Sequence, residues 1–253
     1  MHFIFGFKII ILGIIAIIAA IVDTLAGGGG LITLPTLLMV GLPPGIALGT
    51  NKLQACVGEL NASIHFVNHG KIKFKELATG VTFTTIGAIA GTILVQHIHP
   101  DSLNKIIPFL LLVVLGYSFF SGKLVPEKTK PKMSLFFFYL IFGLLLGFYC
   151  GFLGPGTGSF WVVVFMFFVS FDLKKATLYT KPLNFTADFV SLICFMLVGA
   201  INYKIALVMA VGQIIGSYIG AKLVIYRGSN IIRPVFLTMV SVMIITLSFK
   251  FLF

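Results

Sequence analysis

Four charged side chains lie inside stretches that are otherwise almost entirely apolar. Thr50-Asn51-Lys52-Leu53-Gln54 opens one such stretch and is followed by Glu59; Thr180-Lys181-Pro182-Leu183-Asn184 opens another and is followed by Asp188. On a helix, residues seven apart share a face two turns on, so Lys52 sits in line with Glu59, and Lys181 with Asp188. A charge at the centre of a bilayer costs about 2.5–3.5 kcal/mol on insertion scales, so a chain that keeps several uses them or pairs them. A lysine on such a face can hold an anion. A carboxylate there can couple a proton or a cation. The competing reading is that each lysine pairs with an acid only to hold helices together, or snorkels to the interface.

Two glycine clusters stand near these residues. Gly27-Gly28-Gly29-Gly30 precedes the short apolar segment 31–42, and Gly154-Pro155-Gly156-Thr157-Gly158-Ser159 precedes the short segment 159–171. Such clusters interrupt helices, and a broken membrane helix turns backbone N–H groups and a positive helix end toward an anionic group. Gly28, Gly29, Gly156 and Gly158 are therefore candidate anion contacts, beside Lys52, Lys181, Asn51, Gln54, Thr180 and Asn184. Glu59 and Asp188 are the candidate coupling residues. Asp23, just before the first cluster, is a further one, or a cap for the segment that follows.

The elements that position these groups are membrane helices. Of 253 residues, 58% are hydrophobic and only 10% charged, which excludes an ordinary soluble domain and a disordered chain. Long unbroken apolar runs, rather than alternating segments of about ten residues, exclude a membrane β-barrel. The runs cover about 3–22, 31–42, 46–69, 76–98, 103–121, 134–153, 159–171, 176–199, 205–226 and 231–253. Residues 3–22 imitate a signal peptide but lead directly into more apolar chain, and are read as a retained helix.

The second half echoes the first. Displaced by 129 residues, Gly27 falls on Gly156, Gly29 on Gly158, Lys52 on Lys181, Glu59 on Asp188, Gly70 on Gly199, and Gly87 and Gly91 on Gly216 and Gly220. The expected organisation is a first repeat at 1–121, a basic cytoplasmic linker at 122–132 and a second repeat at 133–253. The Asp23 position matches Phe152, so Asp23 breaks the symmetry.

Charge orients the halves. Eighteen Lys+Arg against seven Asp+Glu give +11, and the basic residues concentrate in short loops, where they direct topology rather than bind nucleic acid. With five segments per half, the loops 70–75, 122–132, 172–175 and 227–233 share one side. That is the positive-inside arrangement, with both termini outside. That count takes the short segments as crossing the membrane; were they re-entrant, Lys174, Lys175, Arg227 and Arg233 would move to the outside. The expected fold is an all-α polytopic membrane protein of two inverted repeats, each with a short broken segment, in the cell (inner or plasma) membrane.

Other features carry less. His65 and His69 are i, i+4 but lack an evident third metal ligand. Cys56, Cys150 and Cys194 fall in apolar segments without metal spacing. Gly143, Gly147 and Gly151, like Gly212, Gly216 and Gly220, form close-packing ridges. Trp161 reads as packing or an interface anchor. No nucleotide-binding loop, nucleophile–base set or redox motif is present, so neither an enzyme nor a cofactor is expected.

The stretch from Val22-Asp23-Thr24-Leu25-Ala26 through the glycines to Pro35, with Gly41-Leu42-Pro43-Pro44 and Gly49-Thr50-Asn51-Lys52-Leu53-Gln54, resembles the first half of the TauE/SafE family, most closely its YfcA-like branch. Thr180 to Thr186, Val208 to Gln213 and Gly220 to Val224 resemble its second half. Pro182 stands where the family is usually aliphatic. The resemblance implies a membrane transporter of sulfite, an organosulfonate or a related sulfur compound, and an exporter by the family label. Expected partners are a small anion, the lipid bilayer and a proton or cation as coupling ion, with a second copy of the chain left open. The alternatives are a passive anion channel and a non-transporting membrane binding or assembly protein.

Overall fold

The computed structural model describes residues 2–69, 72, 74–103, 105–107, 109–110, 131–228, 230–231 and 234–235. The end of the segment 103–121, the linker at 122–130 and most of the segment 231–253 lie outside the described residues. Among those described, regular structure is helical throughout. The helices are α1 (His2–Ala26), α2 (Gly30–Met39), α3 (Pro44–Asn68), α4 (Phe74–Gln96), α5 (Leu135–Phe152), α6 (Thr157–Val169), α7 (Leu173–Leu197) and α8 (Tyr203–Arg227). α5 contains a π-turn at Tyr139–Gly143, and α6 ends in another at Phe165–Val169.

Among the described residues, four helices are long and apolar enough to cross a membrane: α1, α4, α5 and α8. α3 and α7 are equally long, at 25 residues each. Their mean hydropathy falls because they carry the polar residues, and those residues are buried within the bundle. Outward positions such as Ile64, Phe189 and Ile193 stay apolar and exposed. This is the inverse of a soluble protein and suits a lipid surround. α7 runs through Pro182 as one helix, so the proline does not end it.

Two ends of the bundle are defined by contacts. At one, Lys174 Nζ donates to the Ile225 carbonyl at 2.8 Å, Lys175 pairs with Glu76 at 3.7 Å, and the Lys132 amide donates to the Phe168 carbonyl. The described basic loops thus gather at one end. At the other, the Asn202 amide donates to Thr50 Oγ1, and Gly49 packs on Phe195 and Ala200.

Glycine ridges bring the long helices together. Gly212, Gly216 and Gly220 of α8 lie against Gly13, Ile17 and Thr24 of α1, so these two helices run parallel. Gly143, Gly147 and Gly151 of α5 lie against Phe83, Thr84 and Ala88 of α4. Small residues let the backbones approach closely, which is how membrane helices associate without a hydrophobic driving force. Each ridge joins a helix from one half to a helix from the other. Trp161 is fully buried, stacked on Phe165 and beside Phe138.

α2 has ten residues and rises only about 15 Å, half the thickness of a bilayer core. It leaves the first glycine break and returns to the end where α3 begins. α6 leaves the second break and returns to the basic end, beside Lys132. The two helix–break–half-helix units therefore enter from opposite ends and meet in the middle.

Candidate functional site

The two glycine breaks touch. Gly27 has φ +72°, open to glycine and strained for other residues, and a methyl there would run into the Gly158 backbone. Ser159 Oγ donates to the Ala26 carbonyl at 2.6 Å, tying the start of α6 to the end of α1. A Cβ on Gly30 would meet Pro155. Glycine at these positions lets two interrupted helices cross at the centre of the bundle.

The lysines lie beside that crossing, each 1% exposed. Lys52 does not pair with Glu59 on its own helix. Its Nζ lies 2.8 Å from Asp188 Oδ1 on α7. Lys181 Nζ lies 3.1 Å from Glu59 Oε1 on α3 and 2.7 Å from Asp23 Oδ2 on α1. The pairs are exchanged between the two helices, which requires α3 and α7 to run antiparallel. α3 at 44–68 and α7 at 173–197 are also displaced by the same 129 residues at both ends.

Each ammonium group has a second role. Lys52 Nζ donates to the Cys150 carbonyl at 2.5 Å, near the end of α5. Lys181 Nζ donates to the Asp23 carbonyl at 2.7 Å, near the end of α1. The last carbonyls of a helix lack intrahelical donors and form its negative end, which favours a cation. Each lysine therefore braces the broken helix of the opposite half. Asp23 Oδ1 accepts from the Gly29 amide at 2.8 Å, so Asp23 caps α2 while its other oxygen pairs with Lys181.

A cavity of about 30 Å³ lies among these groups. Its lining includes Asp23, Asn51, Lys52, Glu59, Asn184 and Asp188, with Gly27, Gly30, Gly154, Gly156 and Gly158 from the breaks. That volume holds about one or two waters. Asn184 Nδ2 donates to Glu59 Oε1 at 3.0 Å, while Glu59 Oε2 and Asn184 Oδ1 are buried with no hydrogen-bond partner.

Other expected residues stand back from the cavity. Gln54 donates to Asn51 Oδ1 and accepts from Gln213. Thr180 donates to the Ala176 carbonyl of its own helix. Gly28 and Gly29 belong to the first break without lining the cavity, and Lys181 lies behind Asp23 and Glu59. His65 packs on Tyr218, and His69 Nδ1 lies 2.8 Å from the His65 carbonyl. Among the described residues no cluster of His, Cys, Asp or Glu is arranged to hold a metal.

Two participants were not predicted as site residues. Gln213, a buried polar residue of α8 one turn before Ser217, lines the cavity, and a Cβ on Gly58 would strike it. Its polarity among aliphatics was the available signal. Cys150 contributes a carbonyl to Lys52 and a thiol 3.4 Å from Asp188. A backbone acceptor leaves no trace in residue type.

Comparison with known proteins places the chain among membrane transporters. Residues 12–247 match the family model described as sulfite exporter TauE/SafE. The chain is 42% identical over 233 residues to a Haemophilus influenzae protein named "Probable membrane transporter protein", covering 90% of both chains. It is 37% identical over 233 residues to the Escherichia coli "Probable membrane transporter protein YfcA", covering 92% of this chain and 87% of that one. It is 36% identical over 219 residues to a similarly named Sinorhizobium protein, covering 87% and 84%. No solved structure matches it. With apolar spans, a glycine-broken centre and these relatives, the chain belongs to the sulfite exporter TauE/SafE family of membrane transporters.

Proposed function

We propose that this protein is a secondary transporter in the cell (plasma) membrane that exports a small sulfur-containing anion: sulfite, an organosulfonate or a related compound. One observation carries the reading. Lys52 lines a single small cavity where two broken helices cross, and Lys181, a buried lysine from the opposite half, is held directly behind the Asp23 and Glu59 carboxylates that line it. Membrane transporters place substrate at such crossings, near the midplane and between repeats.

In this reading the halves, 1–121 and 133–253 joined by a basic cytoplasmic linker at 122–132, are inverted repeats with both termini outside. Antiparallel α3 and α7, equal in length and offset by one register, support it. The anion takes the place of carboxylates around Lys52 and Lys181. Asn51 and Asn184 add hydrogen bonds, Gln54 acts through Asn51, and Thr180 is reached when the site opens. Gly28, Gly29, Gly156 and Gly158 let helix ends approach the anion. Glu59, Asp188 and Asp23 hold the lysines between cycles and carry the coupling proton or cation. The cavity is too small for an organosulfonate, so the site must widen by rocking of one half against the other. A closed centre of this kind also favours a transporter over an open channel.

The test is efflux from vesicles containing the purified protein, screened with labelled sulfite, sulfate, thiosulfate and sulfonates. Saturable flux is expected, and its loss in both Lys52→Ala and Lys181→Ala. Normal flux in both variants refutes the anion site.

A further inference from the structure

The two lysines are not in equivalent surroundings. Lys52 has one carboxylate partner, Asp188, whereas Lys181 has two, Asp23 and Glu59. The site therefore contains three carboxylates against two ammonium groups. With every group ionised, one negative charge would remain unbalanced in a place where burial of an unpaired ion is strongly unfavourable. The excess sits around Lys181, because only this half has an acid at the Asp23 position.

The hydrogen bonds locate it further. Both Asp23 oxygens are occupied, by the Gly29 amide and by Lys181. Glu59 Oε1 is also occupied, by Lys181 and Asn184. Glu59 Oε2 is buried, borders the cavity and has no donor. Asn184 Oδ1, on the same cavity, is another acceptor without a donor. A region rich in acceptors and short of donors is completed by adding a hydrogen.

A metal ion fits less well. The position between the two carboxylates is already filled by the Lys181 ammonium, 2.7 Å from one and 3.1 Å from the other. A proton can add at Glu59 Oε2 without displacing it. The other titratable groups facing the pair are Lys52 and Cys56 on α3, Asp188 on α7 and Cys150 on α5; α2, α6 and α8 present none here among the described residues. Asp23 retains 22% side-chain exposure and lines the cavity, whereas the Glu59 side chain is 5% exposed. Asp23 is thus the accessible member and Glu59 the sequestered one.

We propose that Asp23 and Glu59, gathered on Lys181, form the proton site of this transporter, taking up one proton per cycle, while Asp188 stays ionised opposite Lys52. The assignment rests on the transporter reading above and narrows its coupling ion to a proton. A proton from the aqueous side passes by Asp23 to the Glu59 carboxylate. Lys181 stays an ammonium, loses one counter-ion and can accept the anion in its place. Proton and anion then load together, so export proceeds only while the outward anion gradient exceeds the inward proton gradient.

The test uses the full chain in lipid vesicles. Infrared spectra across a pH titration read protonated carboxyl groups without any anion. The wild type is expected to show a protonated-carboxyl band that disappears at alkaline pH. The band should be lost in Glu59→Gln, lost or shifted in Asp23→Asn, and kept in Asp188→Asn, there titrating at lower pH because Lys52 is left without its carboxylate. No band, or one unchanged in Glu59→Gln and Asp23→Asn, overturns the proposal. A second arm follows labelled thiosulfate and ethanesulfonate, anions of strong acids, with a pH dye inside the vesicles. Proton movement should accompany anion flux in the wild type, with the proton-to-anion ratio falling to background in Glu59→Gln. Anion flux without proton movement overturns the proton site and leaves the anion reading intact. A titrating band with no flux of any probe overturns the transport reading instead, and with it the coupling role.

Discussion

Lys52 and Asp188 are 136 positions apart in the chain, and their charged atoms are 2.8 Å apart. The reciprocal contact, Lys181 with Glu59, lies between the same two helices. Antiparallel α3 and α7 thus hold each other by two exchanged ion pairs, with the cavity beside them.

The ion pairs separate stability from function. Lys52→Met leaves Asp188 buried without a counter-ion, and about 3–5 kcal/mol of stability should be lost. The double variant Lys52→Met with Asp188→Leu removes both charges and should regain most of that loss in thermal unfolding. Its flux should stay absent. Recovery of flux together with stability would mean that the pair is structural only.

The glycine crossing predicts a sharp contrast. Gly27→Ala combines positive φ with collision against the Gly158 backbone, and should prevent folding or abolish flux. Gly199 also has positive φ, +67°, but a methyl there meets nothing within 4 Å. Gly199→Ala should cost only the backbone preference, on the order of 1 kcal/mol. Equal unfolding temperatures for the two variants would refute the crossing.

The arrangement of the ends can be read by labelling. Single cysteines replacing Lys174 and Arg227 should react with an impermeant maleimide from one side of the membrane. Those replacing Gly41 and Gly199 should react from the other. Labelling of Lys174→Cys and Arg227→Cys from different sides would rule out the gathered basic end.

Peripheral charges should matter little. Lys175 is 40% exposed at its side chain, pairs with Glu76 at 3.7 Å and lies over the Phe171 ring. Exposed pairs contribute about 0–1 kcal/mol. Lys175→Gln should therefore shift unfolding far less than Lys52→Met; a larger shift would place Lys175 in the structural core.

Much of the organisation was legible because it is local or compositional. Apolar runs mark helices, glycine clusters mark breaks, and the 129-residue echo aligns α3 with α7 at both ends. The basic loops were expected on one side, and those described do cluster at one end. Hydrogen-bond assignments were less legible. Thr180 bonds back to its own helix, and Cys150 acts through its carbonyl, which every residue possesses.

The sequence by itself determined that charges lie within membrane helices and that they recur in both halves, because residue type and order fix solvent preference and helical face. Only the tertiary structure decided who the partners are. Antiparallel docking of α3 on α7 exchanges the acids, and the meeting of two glycine breaks draws Asp23 onto Lys181, leaving three carboxylates for two lysines. Pairing of this kind depends on distances between helices, and those are set by packing across the bundle, which spacing along one segment does not encode.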